Sequence, residues 1–571
     1  MEKTADHKRK RVTLSGLILE KKKLLAVFII STLILSVVAP VKSYIMQWLI
    51  DAPSKTAAIR YLLLGIGIIL LSHITEYISR LSFMKIACRN IEQIRNRLID
   101  RQIKKPMQVY LSENTGSVLS CLTNDMRLIY DEYYMSIFNI LMWGGMMLVA
   151  LLMLGMISPA LLMIALVLGM APLLAPKILA EKMSRLREEY SKNIAAYTSR
   201  TGELLKGFEA LLTSGGTGYL TENHRAAAAS NREKEYQMQW MLNIAAIMSS
   251  LVAWIPSITV LLFGVFLVYD GKITIGYLVT ANMLTNFVIS PCRQVSDAYA
   301  KLKSSRMVKE KIEAAMNQEI NASGTEELER VDHIRAEHLT FAYPDAEAPS
   351  LYDVSLDIRR REKIALVGPS GSGKSTIAKI LYRYFEDYQG DVFVNDKPLK
   401  SINLESYYQK AAMIPQTPFL FSDSIYNNLC LFQSFSDDEV REAVRLAGLE
   451  NFIKDQPEGW DTVLAENGRN LSGGQAQRIA MARAILRKCD LMLVDEATSS
   501  LDVATTCEVM DHLLDLDCTV IMITHDIFGD YMKRFDRIYY LEQGQVKEQG
   551  TFDGLMKESG GFYCLYHRMD S

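Results

Sequence analysis

KIALVGPSGSGKSTIAKILYRYF, residues 363–385, falls into three parts. Lys363–Val367 is an apolar run of strand length, GPSGSGKST follows at 368–376, and a helical pattern runs on from there. The loop matches GxxxxGK followed by Ser or Thr as Gly368, Gly373, Lys374 and Ser375, in the strand–loop–helix setting the motif requires. Glycines let the backbone come close to a bound group. Loop N–H groups and a helix N-terminus then face phosphate oxygens. On this reading Gly368, Ser370, Gly371, Gly373 and Thr376 shape a nucleotide cradle, Lys374 reaches the outer phosphates and Ser375 ligates Mg2+.

Further along, LMLVDEATSSLD at 491–502 is a buried strand ending in two acids. Asp495 suits the Mg2+ shell, and Glu496 is placed to orient and polarise an attacking water. His525, after the strand TVIMIT, is a candidate for the γ-phosphate. Gln416, in AAMIPQTPF, is a candidate for Mg2+ or the water, and Tyr343, in FAYPD, for stacking on adenine. A lone histidine or aromatic is more often structural. The order and spacing of all these motifs together is what gives them weight.

A second glycine-rich stretch, NLSGGQAQR at 470–478, raises the question of why one domain needs two cradles. Leu471–Gln475 contains no lysine and no metal ligand, so it cannot hold a nucleotide unaided. It offers Ser472, the amides of Gly473 and Gly474, and the head of a helix beyond Gln475. That is an anion site awaiting a phosphate supplied from elsewhere.

The first half has a different character. A chain of 571 residues exceeds what one core supports. Its net charge of −2 gives no reason to expect nucleic acid as a partner. The eight cysteines show no CxxC spacing, which speaks against zinc and redox motifs. Runs at Leu24–Val41 (extending towards Ile50), Ala57–Ile78, Tyr133–Pro176, Tyr236–Tyr269 and Ile273–Cys292, uncharged except for Arg60 and Glu76 near the ends of the second, read as membrane helices. The third run is long enough for two helices, folded at Ile157-Ser158-Pro159, which makes six spans. The first is read as a retained span, not a cleaved signal.

The basic tail, from Lys3 to Lys23, is expected to stay in the cytoplasm, and six crossings return the chain there near Arg293. Short outer loops are expected at Asp51–Lys55, around Ser158 and at Asp270–Thr274. Long helical inner loops are expected at about 76–132 and 177–235, with tips at Thr115–Asp125 and Ser214–Thr221. His73, Asn139, Asn282 and Asn286 fall within spans, where interhelical hydrogen bonding accounts for them at least as well as a substrate cavity. The expected division is a basic segment 1–23, a membrane domain 24–300, a linker 301–332 and a nucleotide domain 333–571.

On these motifs the chain resembles the ATP-binding cassette (ABC) transporters, specifically exporter-type half-transporters. In these an α-helical six-span membrane domain precedes an α/β P-loop ATPase domain of ABC type. The resemblance covers roughly 15–571 and implies the roles given above for Tyr343, Lys374, Ser375, Gln416, Asp495, Glu496 and His525. It adds Ser500–Asp502 as a segment communicating across a dimer, and likens the tip at Thr115–Asp125 to the first coupling helix. It also answers the question of two cradles: the signature loop Leu471–Gln475 closes over ATP held by a partner chain, so two chains sandwich two ATP molecules. Glu496, His525 and the signature are all intact, which favours a homodimer, with a heterodimer still open. The implied activity is ATP hydrolysis driving export of a drug, lipid or peptide, while the basic tail and the absence of targeting features suit a bacterial plasma membrane with the nucleotide domain cytoplasmic. Import of an iron–siderophore-like cargo, or an ATP-gated channel or regulator, are the alternatives. The substrate itself is not encoded in any motif.

Overall fold

Backbone polar groups in lipid must be satisfied within the chain, and the first unit of the protein does this with helices. The computed structural model describes residues 11–113, 115–171, 174–318, 324–344, 346–496, 503–524 and 530–569. Two compact units emerge, one comprising Met1–Ile103 with Thr115–Gln318 and the other Lys104–Asn114 with Glu319–Ser571.

In the first unit the major helices are Lys22–Val41, Tyr44–Ile50, Lys55–Ile103, Met135–Ile157, Pro159–Gly169, Leu174–Lys206, Thr217–Tyr269 and Ile275–Ser304. The breaks after Ile50, at Ser158 and after Tyr269 coincide with the three expected outer loops. Ser158 is extended and Pro159 opens the next helix, where its missing N–H costs nothing. Among the described residues, four helical stretches are long and apolar enough to cross a membrane: Lys22–Ile50, Lys55–Ile103, Thr115–Ile157 and Thr217–Tyr269. Pro159–Gly169 is apolar but short, and Ile275–Ser304 carries charges in its second half. Lys55–Ile103 and Thr217–Tyr269, at 49 and 53 residues, each run roughly 70–80 Å, well beyond a bilayer.

Between the spans, Phe28, Phe83 and Phe138 meet with ring centroids 4.9–5.9 Å apart, joining three helices at one buried point. Small residues allow close approach. Thr32 and Ser79 share a buried hydrogen bond of 2.7 Å, and Thr280 Oγ1 donates to Ser43 O at 3.1 Å. Asn286 Nδ2 donates to Asn282 O within its own helix, and His73 lies beside Glu76 at 3.7 Å. Val12 and Leu14 are tied to the helix Arg306–Asn317. Val12 N donates to Asn317 Oδ1 and Asn317 Nδ2 donates to Val12 O, both at 2.9 Å, while Leu14 N donates to Glu313 Oε1 at 2.7 Å. Leu14, Leu17 and Ile312 are fully buried in the same cluster.

The first inner tip needs correction. Thr115–Asp125 is not a separate tip: Thr115–Ser120 opens a helix that continues through π-helical turns at Cys121–Asp125 and Ile129–Tyr134 into the third span. The separate short helix is Met107–Ser112. Pro106 cannot extend the helix ending at Ile103, so the chain breaks there and restarts. This segment groups with the second unit, where Gln108 Nε2 donates to Asp387 Oδ2 at 2.9 Å and Glu386 N donates to Gln108 Oε1 at 3.2 Å. The second inner loop turns at Ser214–Gly216, between helices Phe208–Thr213 and Thr217–Tyr269, within the expected stretch.

The second unit holds two sheets. β1 (His333–Phe341), β2 (Leu351–Arg359), β4 (Gln389–Val394) and β5 (Lys397–Pro398) form an antiparallel sheet in the order β2-β1-β4-β5. The other runs β10-β9-β3-β8-β7-β6, from β3 (Lys363–Val367), β6 (Ala411–Ile414), β7 (Leu491–Asp495), β8 (Thr519–Ile523), β9 (Arg537–Glu542) and β10 (Gln545–Gly550). It is parallel from β9 to β6, with β10 antiparallel at one edge. β7 and β8 are buried along their whole length, which is why they read as continuous apolar runs. β3 and β7 flank β8, so their carboxyl ends open on one crevice, where ligands of such sheets bind.

Candidate functional site

The loop after β3 has the geometry that its glycines allow. Gly368 sits at φ +148°, and a Cβ there would lie 2.1 Å from Leu541 O. Gly373 sits at φ +99° with Ser350 O 2.8 Å from where a Cβ would be. The helix Lys374–Leu381 begins at this point. Lys374 is buried, and its Nζ donates to Gly368 O and Pro369 O, each at 2.8 Å. Burial pulls its pKa below the ordinary lysine value, against the opposing pull of Glu496 and Asp495.

Ser375 Oγ donates to Asp495 Oδ1 at 2.9 Å, joining the end of β7 to the head of that helix. Burial pushes the Asp495 carboxyl up, with the Ser375 hydrogen bond opposing. Glu496 follows with φ +49°, a left-handed conformation uncommon for a residue with a side chain. Gln416 Nε2 donates to Glu496 Oε2 at 2.6 Å. Tyr343 OH lies 3.3 Å from Thr376 Oγ1, and its ring meets Phe341 and Phe385 edge-on.

A cavity of about 470 Å³ gathers Tyr343, Ser370, Gly371, Gly373, Lys374, Ser375, Thr376, Gln416 and Glu496 from four separate segments. Gly368 anchors the loop beneath it, and Asp495 adjoins through Ser375. Ser350 and Ser372 also line it. Ser372 lies inside the quoted loop, while Ser350, just before β2, carries no sequence signal and is placed by the fold. His525 and Ser500–Asp502 lie outside the described residues.

Leu471–Gln475 is not among the described residues lining that cavity. Ser472 caps the helix Gly473–Leu486: Gln475 N donates to Ser472 Oγ at 3.2 Å, and Ser472 N donates to Gln475 Oε1 at 2.9 Å. Ser472 and Gly473 are exposed, so the positive end of a 14-residue helix faces outward. Arg483, on the same helix, donates to Phe419 O at 2.6 Å and to Asn428 O at 2.5 Å; burial draws its pKa down to about 10.

Comparison with known proteins agrees with this geometry. The family model for the ABC transporter transmembrane region matches residues 24–292, and that for the ABC transporter matches 351–499. An ATP-dependent lipid A-core flippase of Sodalis glossinidius (strain morsitans) is 28% identical over 89% of this chain and 88% of its own. The mesentericin-Y105 transport/processing ATP-binding protein MesD of Leuconostoc mesenteroides is 29% identical over 98% of this chain and 78% of its own. A bacterial Atm1-family ABC exporter solved with ATP bound shares the fold, with a TM-score of 0.83 at 20% identity over 96% of this chain and 99% of that one. The chain therefore belongs to the ABC transporters, as a half-transporter in which one transmembrane region is fused to one ATP-hydrolysing domain.

Proposed function

We propose that the protein exports an amphipathic compound, a lipid, peptide or drug-like molecule, across a bacterial plasma membrane by alternating access. The working unit in this reading is a homodimer, with the N-terminal segment and both nucleotide units on the cytoplasmic side. The observation that carries the dimer is the separation of the two glycine-rich loops. The cradle at Gly368–Thr376 opens on its cavity, while the signature loop points its exposed helix end elsewhere. A half-transporter architecture implies pairing, and a second copy supplies the phosphate that the signature loop lacks. The uptake and channel alternatives find no counterpart among the relatives above, one of which is named as a flippase.

At the site, Lys374 exchanges its loop carbonyls for the outer phosphates of ATP. Ser375, Asp495 and the Gln416 amide oxygen would hold Mg2+. They are hard oxygen donors, and two of them already stand 2.9 Å apart. A few protein oxygens completed by phosphate are what this ion takes. When bound, the ion neutralises charge on the phosphates. Glu496 orients the attacking water, held in place by Gln416. Tyr343 packs on the base, and His525 is assigned to the γ-phosphate.

ATP binds the closed pair better than the open one and so shifts the population towards closure; hydrolysis reverses the shift. The test is ATPase activity and mass of the chain expressed alone in detergent, with Glu496→Gln as the blank. An active dimer supports the reading. An inactive monomer that gains activity only with a second, different half-transporter overturns the homodimer.

A further inference from the structure

Gln477 lies in the second turn of the helix headed by the signature loop, 3% exposed. Its Nε2 faces two backbone carbonyls, Gln416 O at 3.3 Å and Glu496 O at 3.5 Å. These residues are the two whose side chains meet at 2.6 Å beside the nucleotide cavity. We propose that Gln477 is a positioning residue for ATP hydrolysis, fastening the base Glu496 and the loop of Gln416 to the helix whose head meets the partner's nucleotide. This rests on the roles of Glu496 and the signature loop given above.

Three features carry it. Glu496 holds a left-handed backbone that an amino acid with a side chain adopts only where its surroundings impose it. Its N–H is fixed by Ile523 O at 3.1 Å, and its carbonyl turns towards Gln477. A buried amide is retained at a cost unless its donors are used. The same helix grips the Gln416 strand-to-helix segment again through Arg483, at Phe419 O and Asn428 O, and is itself tied to Gly448 O by Arg478 at 2.8 Å. A displacement of the signature helix therefore moves both carbonyls together. What this chain's signature loop senses on the partner's ATP is passed to the base acting on its own.

The experiment uses the full chain in detergent with Mg-ATP. Gln477→Met keeps the length and removes the donor; Gln477→Lys keeps a donor. The expected result for Gln477→Met is a kcat lower by about tenfold or more, with KM and the Kd for a fluorescent trinitrophenyl-ATP within about threefold of the parent. Gln477→Lys recovers a large part of that loss, whereas a mere packing role makes the apolar Met the better tolerated of the two. In a Glu496→Gln background, Gln477→Met brings no further loss of turnover, because the interaction acts through Glu496.

Parental kcat in Gln477→Met, or a fall matched by equal rises in KM and Kd, overturns the proposal. So does a Lys variant no better than Met, or a multiplicative loss in the double variant. If Glu496→Gln itself hydrolyses ATP like the parent, the base assignment falls and this inference with it. If Glu496→Gln is inactive while Gln477→Met is unimpaired, this inference alone fails.

Discussion

Ser375 Oγ donates a hydrogen bond of 2.9 Å to Asp495 Oδ1, across 120 residues of sequence. The first heads the helix after the phosphate loop and the second ends a fully buried strand, and both are proposed above as Mg2+ ligands. Asp495→Asn keeps the shape and removes the charge. Its Mg2+-dependent turnover is expected to fall by on the order of 10²-fold, with a higher Mg2+ concentration needed for half-activity. Unchanged Mg2+ titrations would remove Asp495 from the metal shell.

Glu496→Gln is expected to lower kcat by roughly 10²–10⁴-fold while still binding ATP. If hydrolysis is what releases the closed pair, the variant retains bound ATP through gel filtration in detergent where the parent does not. Normal turnover would show that the water is activated elsewhere.

Lys374→Ala acts on binding rather than on chemistry alone. A buried ammonium that now bonds two loop carbonyls is lost, along with its reach to the phosphates. Fluorescent-nucleotide titration should show an affinity weaker by about tenfold or more; parental affinity would contradict the phosphate role.

Phe83 joins Phe28 and Phe138 at the buried meeting point of three helices and is 1% exposed. Phe83→Ala leaves a void that helices cannot easily close and should destabilise the first unit by about 3–5 kcal/mol. A thermal melt in detergent reads this as a clear drop in Tm, and a Tm equal to the parent would show that the triad carries no packing weight.

His338 and Asp353 form an exposed pair at 2.6 Å. The hydrogen bond to Asp353, with its charge, raises the His338 pKa above the ordinary 6.5. The pair's stabilisation is therefore complete below about pH 6.5 and is lost as pH rises through the higher folded value. Surface exposure keeps it small. Comparing the parent with Asp353→Asn, the Tm difference should shrink from about pH 6 to about pH 8. A difference that grows over that window would reverse the assignment.

The parts of the molecule legible in the sequence are those whose chemistry is local. The phosphate loop needs glycine at two backbone positions and a lysine one step on, so Gly368, Gly373 and Lys374 announce themselves. β7 and β8, buried on both faces, had to be continuous apolar runs. The helix break at Ser158-Pro159 is a property of those two residues. What stayed illegible depends on distant partners. The family likeness points to Thr115–Asp125 as the tip, yet Pro106 sets the break and Gln108 finds Asp387 only in three dimensions. Gln477 reads as one more polar residue of a helix until Glu496 folds back against it.

The clasp between Val12 and Asn317 joins residues 305 positions apart. During synthesis Val12 leaves the ribosome long before Asn317 exists. Leu14 and Leu17 share their buried cluster with Phe28 and Phe83 of early helices, and Ile312 joins it only when the helix Arg306–Asn317 emerges. The amino-terminal segment is thus fastened last, and a chain truncated just before Arg306 would lack the partners of Val12 N, Val12 O and Leu14 N.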